Sequence, residues 1–319
     1  MQTRAKAYFV SLESEIHNAR WVKVLSYFFR EVEFLLPSQI SSKKTDGTVF
    51  STPIDKVSIP LSRLISSENH IALSNGLDMM GQESAEFLRQ NLELLSSLQA
   101  IWVDTNWALG VLRGIGLTSV SRVPWGLYSP SAKELGASHY VHEEVRGSDI
   151  LLLPRLRSDL YQPKVIFDAL EISKAWARFS RIFAIGVHPD YLRGVSESLM
   201  RSITVLPGLS ESELIHLTRQ ASMVLMAPKS DGISITALQS IALGALVVST
   251  PTIGALELAS KTDRVTCSTG FDAISISDTL DAVTGAARMA QVNDETIFML
   301  NRDFNLKSNV SVALSQFFH

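Results

Sequence analysis

Apolar and polar positions shift between two periods along the whole chain. Short β-rich runs occur at Ala5 to Val10, Val32 to Leu36, around Val57 to Ile59, His70 to Ser74, Ala100 to Val103 and Ser119 to Val123. Segments with helical spacing lie between them: His17 to Arg30, about Glu83 to Leu98, and Asn106 to Arg113. In the first of these, Trp21, Val24, Leu25 and Phe28 recur at i, i+3, i+4 and i+7. Strands separated by helices in this rhythm predict βαβ units and parallel sheet. Ser129 to Asp149 breaks the rhythm with Pro130, Gly136, Gly147 and a scatter of charges, and reads as an interdomain linker. A second alternating series begins at Ile150: ILLL, a helix from about Pro163, IFAIG, a helix, ITVL, a helix from about Ser210, MVLMA, a helix at Ser234 to Leu243, and LVVS. An amphipathic helix at Ser308 to Phe317 closes the chain, and Ser38 to Pro53 reads as a mobile loop.

Two alternating series predict an α/β protein of two Rossmann-like domains facing each other across a cleft. Residues 1–135 would form the first and 148–305 the second, with a helix at 306–319 crossing back to the first. A length of 319 residues suits two domains, and 46% hydrophobic against 19% charged residues is enough apolar material for full cores. With 29 basic and 32 acidic side chains the net charge is -3, which disfavours a protein built to coat nucleic acid. Cys267 is the single cysteine, so an internal disulfide is excluded. No apolar run approaches the ~20 residues that span a bilayer. The start MQTRAKAYFVSLESE has acidic and polar residues where a signal peptide needs an apolar stretch, so a cytoplasmic protein is expected.

Gly110, Gly114 and Gly116 do not make a dinucleotide fingerprint, because they sit in and after a helix instead of at a strand-to-helix turn. There is no Asp-x-Asp pair, and the seven histidines lack the i, i+4 spacing of a zinc helix, so no metal is expected. The informative stretch is Ser230 to Thr250, SDGISITALQSIALGALVVST. It follows an apolar strand and opens a helix, whose unpaired N–H groups favour an anion such as phosphate. Asp231 and Gly232 fall at the carboxyl end of that strand, where open α/β sheets bind ligands. Gln239 lies about two helical turns after Asp231. An ordinary helix cap with a turn glycine accounts for the same local pattern.

The stretch resembles the donor motif of family 4 retaining glycosyltransferases, which have the two-domain GT-B fold. It is most similar to the subgroup written S-D-G-x-S-x-x-x-L-E-A-x-A-x-G, through Ser230, Asp231, Gly232, Ser234, Leu238, Ala242 and Gly244. His17, Arg20 and Trp21 resemble an H-x-x-R-W motif. Ser74, Gly76 and Asp78 resemble S-x-W-G-S-D, and Pro124 to Leu127 resembles P-W-G-V-D. Leu152 to Tyr161 is similar to the R-R-x-x-P-x-Y loop of the second domain. The order of these motifs extends the resemblance over most of the chain. Three positions depart from it: Gln239 stands for an acidic residue, Leu160 for a lysine, and the turn Ser11 to Ile16 has no glycine.

The resemblance implies transfer of a sugar, with retention, from a UDP-, GDP- or ADP-sugar to a glycan, glycolipid or other acceptor. It implies no cofactor and no metal. Arg155 would face the diphosphate, with Arg157 as a second candidate, and Lys164 could stand in for the missing lysine. The amides around Ile233, Ser234, Ile235 and Thr236 would hold phosphate beside Gly232. Asp231 would contact the sugar, and Gln239 the ribose. Asp78 and Gly76 would line the cleft from the first domain, and His17 would touch acceptor or phosphate. Each side chain also has an ordinary structural reading, as a salt bridge, a cap or a core contact. Phe29 and Arg30 could face a membrane carrying a lipid acceptor, although Lys23 and Arg30 are too few for a polybasic anchor. An accessory subunit without activity and a sugar-nucleotide 2-epimerase are the alternatives.

Overall fold

The computed structural model describes residues 4–11, 16–36, 39–40, 47–52, 69–74, 82–124, 126–127, 149–173, 175–284 and 294–317. The chain divides into two compact units, residues 1–128 with 303–319, and residues 129–302.

The first unit contains β1 (Arg4–Ser11), α1 (Ile16–Leu25), β2 (Phe29–Leu35), β3 (Thr48–Thr52), β4 (His70–Ser74), α2 (Gln82–Gln90), α3 (Leu92–Ser96), β5 (Ala100–Val103), α4 (Asn106–Gly114) and β6 (Val120–Arg122). Its strands form one parallel sheet in the order β2-β1-β3-β4-β5-β6. Strands β3, β4 and β5 are buried at every position, as expected of a parallel sheet covered on both faces. Trp102 on β5 anchors the core, 5.6 Å from Phe50 and 6.2 Å from Trp21 by ring centroids.

Four local expectations are corrected here. The helix from His17 ends at Leu25, not Arg30, because Phe29 pairs with Arg4 and opens β2. Phe29 is therefore core, 2% exposed and edge-on to Phe50 at 5.8 Å, and cannot be a membrane contact. Within the supposed loop Ser38 to Pro53, Thr48–Thr52 is a fully buried strand paired on both sides, since its β-branched and aromatic residues suit a pleated core. The strand expected near Val57 to Ile59 lies outside the described residues. The helix of Glu83 to Leu98 is two helices. At Asn91 the backbone leaves helical geometry, and the side-chain amide donates to the Phe87 carbonyl at 2.8 Å.

The second unit contains β7 (Ile150–Leu153), α5 (Pro163–Ser173), β8 (Arg181–Ile185), α6 (Glu197–Ser202), β9 (Ile203–Leu206), α7 (Glu211–Gln220), β10 (Met223–Met226), α8 (Ile235–Ala242), β11 (Leu246–Ser249), α9 (Ile253–Ala259), β12 (Val265–Cys267), α10 (Ala273–Thr284) and α11 (Asp294–Asp303), whose last residue falls in the first unit. Its parallel sheet runs β12-β11-β10-β7-β8-β9. The chain moves outward from β7 to β9, then returns across the sheet to β10 and moves outward the other way. The order thus reverses between β7 and β10, the switch point at which doubly wound sheets hold ligands. Apolar side chains of β7, β8, β10, α5 and α10 make the core beside it.

The chain ends in α12 (Leu306–Phe317), which belongs to the first unit and packs on α1. Gly126 makes this possible. A Cβ there would overlap the Phe304 carbonyl, while Leu127 N–H donates to that same oxygen at 2.8 Å.

Two glycines in the described residues have opposite consequences for stability. A Cβ at Gly254 would overlap the backbone carbonyl of Gly232, which cannot yield as a side-chain end can. Gly110 lies exposed within α4 with nothing within 4 Å. Gly254→Ala should lower the unfolding free energy by about 1–3 kcal/mol. Gly110→Ala should raise it by about 0.5–1 kcal/mol. Chemical denaturation of the two variants checks both signs.

Candidate functional site

The carboxyl ends of β7 and β10 meet at the switch point of the second unit, and the loops that follow them carry the candidate chemistry. After β7, Pro154 leads into Arg155, whose φ of 63° is left-handed. That conformation costs a residue with a Cβ roughly 1–2 kcal/mol. A glycine would avoid the cost, so the position is occupied for the sake of its side chain. A 3₁₀ turn, Asp159–Tyr161, follows, and Gln162 (φ 47°) turns the chain into α5. Two bonds tie this loop to the one after β10. Gln162 Nε2 donates to the Ala227 carbonyl at 3.0 Å, and Lys229 N–H donates to the Leu160 carbonyl at 2.8 Å.

The loop after β10 is braced from its other side. Buried Thr250 donates its hydroxyl to the Pro228 carbonyl at 2.6 Å. Gly254 N–H, in the first turn of α9, donates to the Asp231 carbonyl at 3.3 Å. Ser234 then caps α8, its hydroxyl accepting from Ala237 N–H at 3.4 Å. The N–H groups of Ile235 and Thr236, in the first turn, have no intrahelical acceptor and are available to an anion.

Asp231 and Arg155 come together at this point. Arg155 Nη1 lies 3.9 Å from Asp231 Oδ2, and the two side chains are 25% and 14% exposed. That separation is too long for a hydrogen bond. Arg155 is held by Tyr161 instead, donating to its hydroxyl at 3.1 Å with the guanidinium 5.4 Å from the ring centroid. One of five guanidinium donors is used in this way, leaving the rest for an incoming anion. Burial raises the Asp231 carboxyl to about 6, opposed by the Arg155 charge and by hydrogen bonds from Ser234 and the Gly232 N–H. The site is an acid that ionises near neutral pH beside a fixed cation and a helix N-terminus. Such a combination makes this position the candidate functional site of the second unit.

The structure separates the two arginines. Arg157 runs away from Asp231 across the ends of β8 and β9. A Cβ at Gly186 would stand 2.8 Å from its Cγ, and one at Gly208 would overlap its guanidinium. Lys164 is turned along the exposed face of α5, 3.3 Å from Asp168. It therefore does not join Arg155, because an i, i+4 pair on its own helix claims it. Gln239 is on α8 as expected, but its amide donates to Glu211 Oε1 at 3.1 Å. His17 lies in the first turn of α1, in the other unit. Gly76 and Asp78 lie outside the described residues. Sequence reasoning missed Glu211, Thr250 and Gly254 as site residues. Tyr161 sat within a recognised motif, but nothing local marked it as the partner of Arg155.

Among the described residues no group of three His, Cys, Asp or Glu side chains converges on a metal position, and no helix is long and apolar enough to cross a membrane. No protein-family model and no curated protein matches the sequence. The fold is nonetheless shared. Two parallel six-stranded sheets with flanking helices match the GT-B architecture of glycosyltransferases. A glycosyltransferase from Rickettsia africae aligns over 99% of this chain and 98% of its own, with a TM-score of 0.71 and 12% identity. Anabaena HepE in complex with UDP-glucose aligns over 98% of both chains, at 0.69 and 10%. The sucrose-phosphate synthase of Thermosynechococcus elongatus covers 99% of both, at 0.66 and 11%.

Asp231 also predicts a pH dependence of stability. Its folded pKa of about 6 lies above the ordinary 3.8, so between these values the folded state binds more protons than the unfolded one. Stability should therefore fall as pH rises from about 4 to about 6, by on the order of 2–3 kcal/mol from this group, and level off above. Asp231→Asn should match the parent near pH 4, exceed it at pH 7 and lose this slope. Thermal unfolding from pH 4 to 8 reads the difference.

Proposed function

We propose that the protein is a retaining glycosyltransferase that moves a sugar from a nucleotide-sugar donor to a glycan, lipid-linked or other acceptor. The observation that carries the reading is the Arg155–Asp231 arrangement at the start of α8. The first turn of α8 binds the diphosphate through the Ile235 and Thr236 amides. Arg155 neutralises the charge that grows on the departing diphosphate, a term that is large where the donor is preorganised and water is scarce. Asp231, ionised above pH 6, faces the sugar and stabilises positive charge developing near its anomeric carbon. With a fixed guanidinium at the leaving group, the reaction is proposed to proceed without a metal. The UDP-glucose complex of HepE, a protein of the same fold, supports a nucleotide-sugar donor and makes UDP the first nucleotide to test, before GDP and ADP.

The pairing of Gln239 with Glu211 favours a second reading, a glycosyltransferase-like accessory protein whose amide is committed elsewhere. That reading predicts no turnover of any nucleotide-sugar, and it is the one left standing if no nucleotide binds.

Thermal shift with UDP, GDP and ADP in the presence of a chelator should find one nucleotide that stabilises the protein. The matching nucleotide-sugar should be consumed only when an acceptor is supplied, and a 2-epimer formed from donor alone would identify an epimerase instead. Arg155→Ala should lower kcat by about 10²-fold or more, with a smaller change in nucleotide affinity. Absence of binding by all three nucleotides would sink the proposal.

A further inference from the structure

We propose that the first unit carries an anion site of its own, at the open edge of its sheet. It takes the phosphoryl group of a small phosphate monoester and has Arg113 as its principal ligand. A cavity of about 270 Å³ lies between α4, β6 and α12, with Arg113, Ser121, Arg122, Asn309, Val312 and Gln316 in its walls. That volume falls just below the ~300 Å³ at which pockets for drug-sized ligands begin. It suits a phosphate carried on one small ring or a short polyol.

The edge strand accounts for the position of the cavity. The Ser119 carbonyl accepts from Ile101 N–H across the β5–β6 ladder, so the next carbonyl, that of Val120, points to the open side. Arg113 Nη2 donates to it at 3.1 Å, which seats the guanidinium at the edge with one of its five donors used. Arg113 makes no other hydrogen bond and no ion pair with the described residues. The rest of the edge is covered by α12. Asn309 Nδ2 donates to the carbonyls of Pro124 and Asp303 at 3.3 and 3.1 Å, and Ser121 Oγ donates to Gln316 Oε1 at 3.4 Å. Protecting an edge requires such a cover, but it does not require a polar cavity beside it.

Charge and polarity in the walls choose the ligand. The chain as a whole has more acidic than basic side chains, 32 against 29. Yet α4, β6 and α12 contain no Asp or Glu, and the charged side chains that line the cavity are both arginines. Such a lining attracts an anion. The planar fork of a guanidinium matches phosphate oxygens two at a time, and Arg113 has the donors to do so. Asn309 adds a different demand. Both protons of its amide go to backbone carbonyls, so Oδ1 remains as an acceptor that bonds no described group. A ligand hydroxyl can donate to it, while Val312 offers apolar surface to C–H groups. The phosphate ester of a polyol or small sugar supplies all three contacts, and a bare ion does not.

Calorimetric titration and thermal unfolding of the whole protein test the site with ribose 5-phosphate, ribose and inorganic phosphate. The parent should bind the ester about tenfold or more tightly than either fragment, and the ester should raise the unfolding midpoint. Arg113→Gln should weaken the ester by about tenfold or more, the size of a lost charge-assisted hydrogen bond. Val312 is 61% exposed, so Val312→Glu places a carboxylate in the wall without disturbing the core. It should weaken the ester to a similar degree while the unfolding midpoint without ligand stays near the parent's. Arg155→Ala, in the second unit, should leave ester binding as it is. A parent that does not bind the ester overturns the inference, as does ester binding that survives either Arg113→Gln or Val312→Glu, or that is lost in Arg155→Ala. Equal binding of ester and inorganic phosphate means an adventitious ion only and overturns it too. Capture by phosphatidic acid vesicles without binding of the soluble ester overturns the soluble class and makes the phosphoryl group a lipid headgroup. None of these outcomes bears on nucleotide binding at α8.

Discussion

The pairing of β7 with β10 is the constraint on which the second unit depends. Met223 opposes Leu151 and Val224 opposes Leu152, joining strands that are about 70 positions apart in the chain. Helices leave these two strands in opposite directions, so no crossover fills the space above their carboxyl ends. Arg155 emerges from one end and Asp231 from the other. Neither would meet the other without that register, and a one-residue slip would turn both buried strands inside out.

Around this pair the backbone is held more tightly than the side chains. Lys229 and Gln162 stitch the two loops together, Thr250 and Gly254 brace the second loop from β11 and α9, and Ser234 closes the start of α8. The two charged side chains are kept apart by comparison. Arg155 takes a left-handed backbone and an aromatic partner in Tyr161, and stops short of a hydrogen bond with Asp231. Asp231 is buried enough to titrate near 6. Both the left-handed backbone of Arg155 and the burial of Asp231 oppose stability. Local cost concentrated at one point of a well-braced sheet is the pattern expected where function sets the arrangement.

The same logic separates residues that one motif seems to group. Arg155 and Arg157 are two positions apart, yet one faces Asp231 and the other crosses the glycines at the ends of β8 and β9. Lys164, a plausible cation by spacing, is held by Asp168 on its own helix. Gln239, a departure from the pattern it resembles, meets a carboxylate from α7. Each outcome is decided by which element arrives alongside, and adjacency along the chain does not carry that information.

Most strands, the alternation of the two series and the cap at Ser234 were legible from periodicity and polar punctuation, because these depend on short-range preferences and on the buried face of each element. Asp231, Gly232 and the first turn of α8 were legible for the same reason, as a strand end followed by a helix start. Boundaries failed where tertiary pairing outweighed local spacing, as when β1 claimed Phe29 from the end of a helical pattern and the core claimed Thr48–Thr52 from an apparent loop. The partners of the site residues were not legible at all. Tyr161 for Arg155, Glu211 for Gln239 and Gly254 beneath Asp231 are set by strand order and helix packing. The sequence by itself determined an α/β chain and marked one strand end followed by a helix start as the candidate site. Only the tertiary structure decided which charged groups meet there, because contacts between loops of distant strands arise from the register of the sheet.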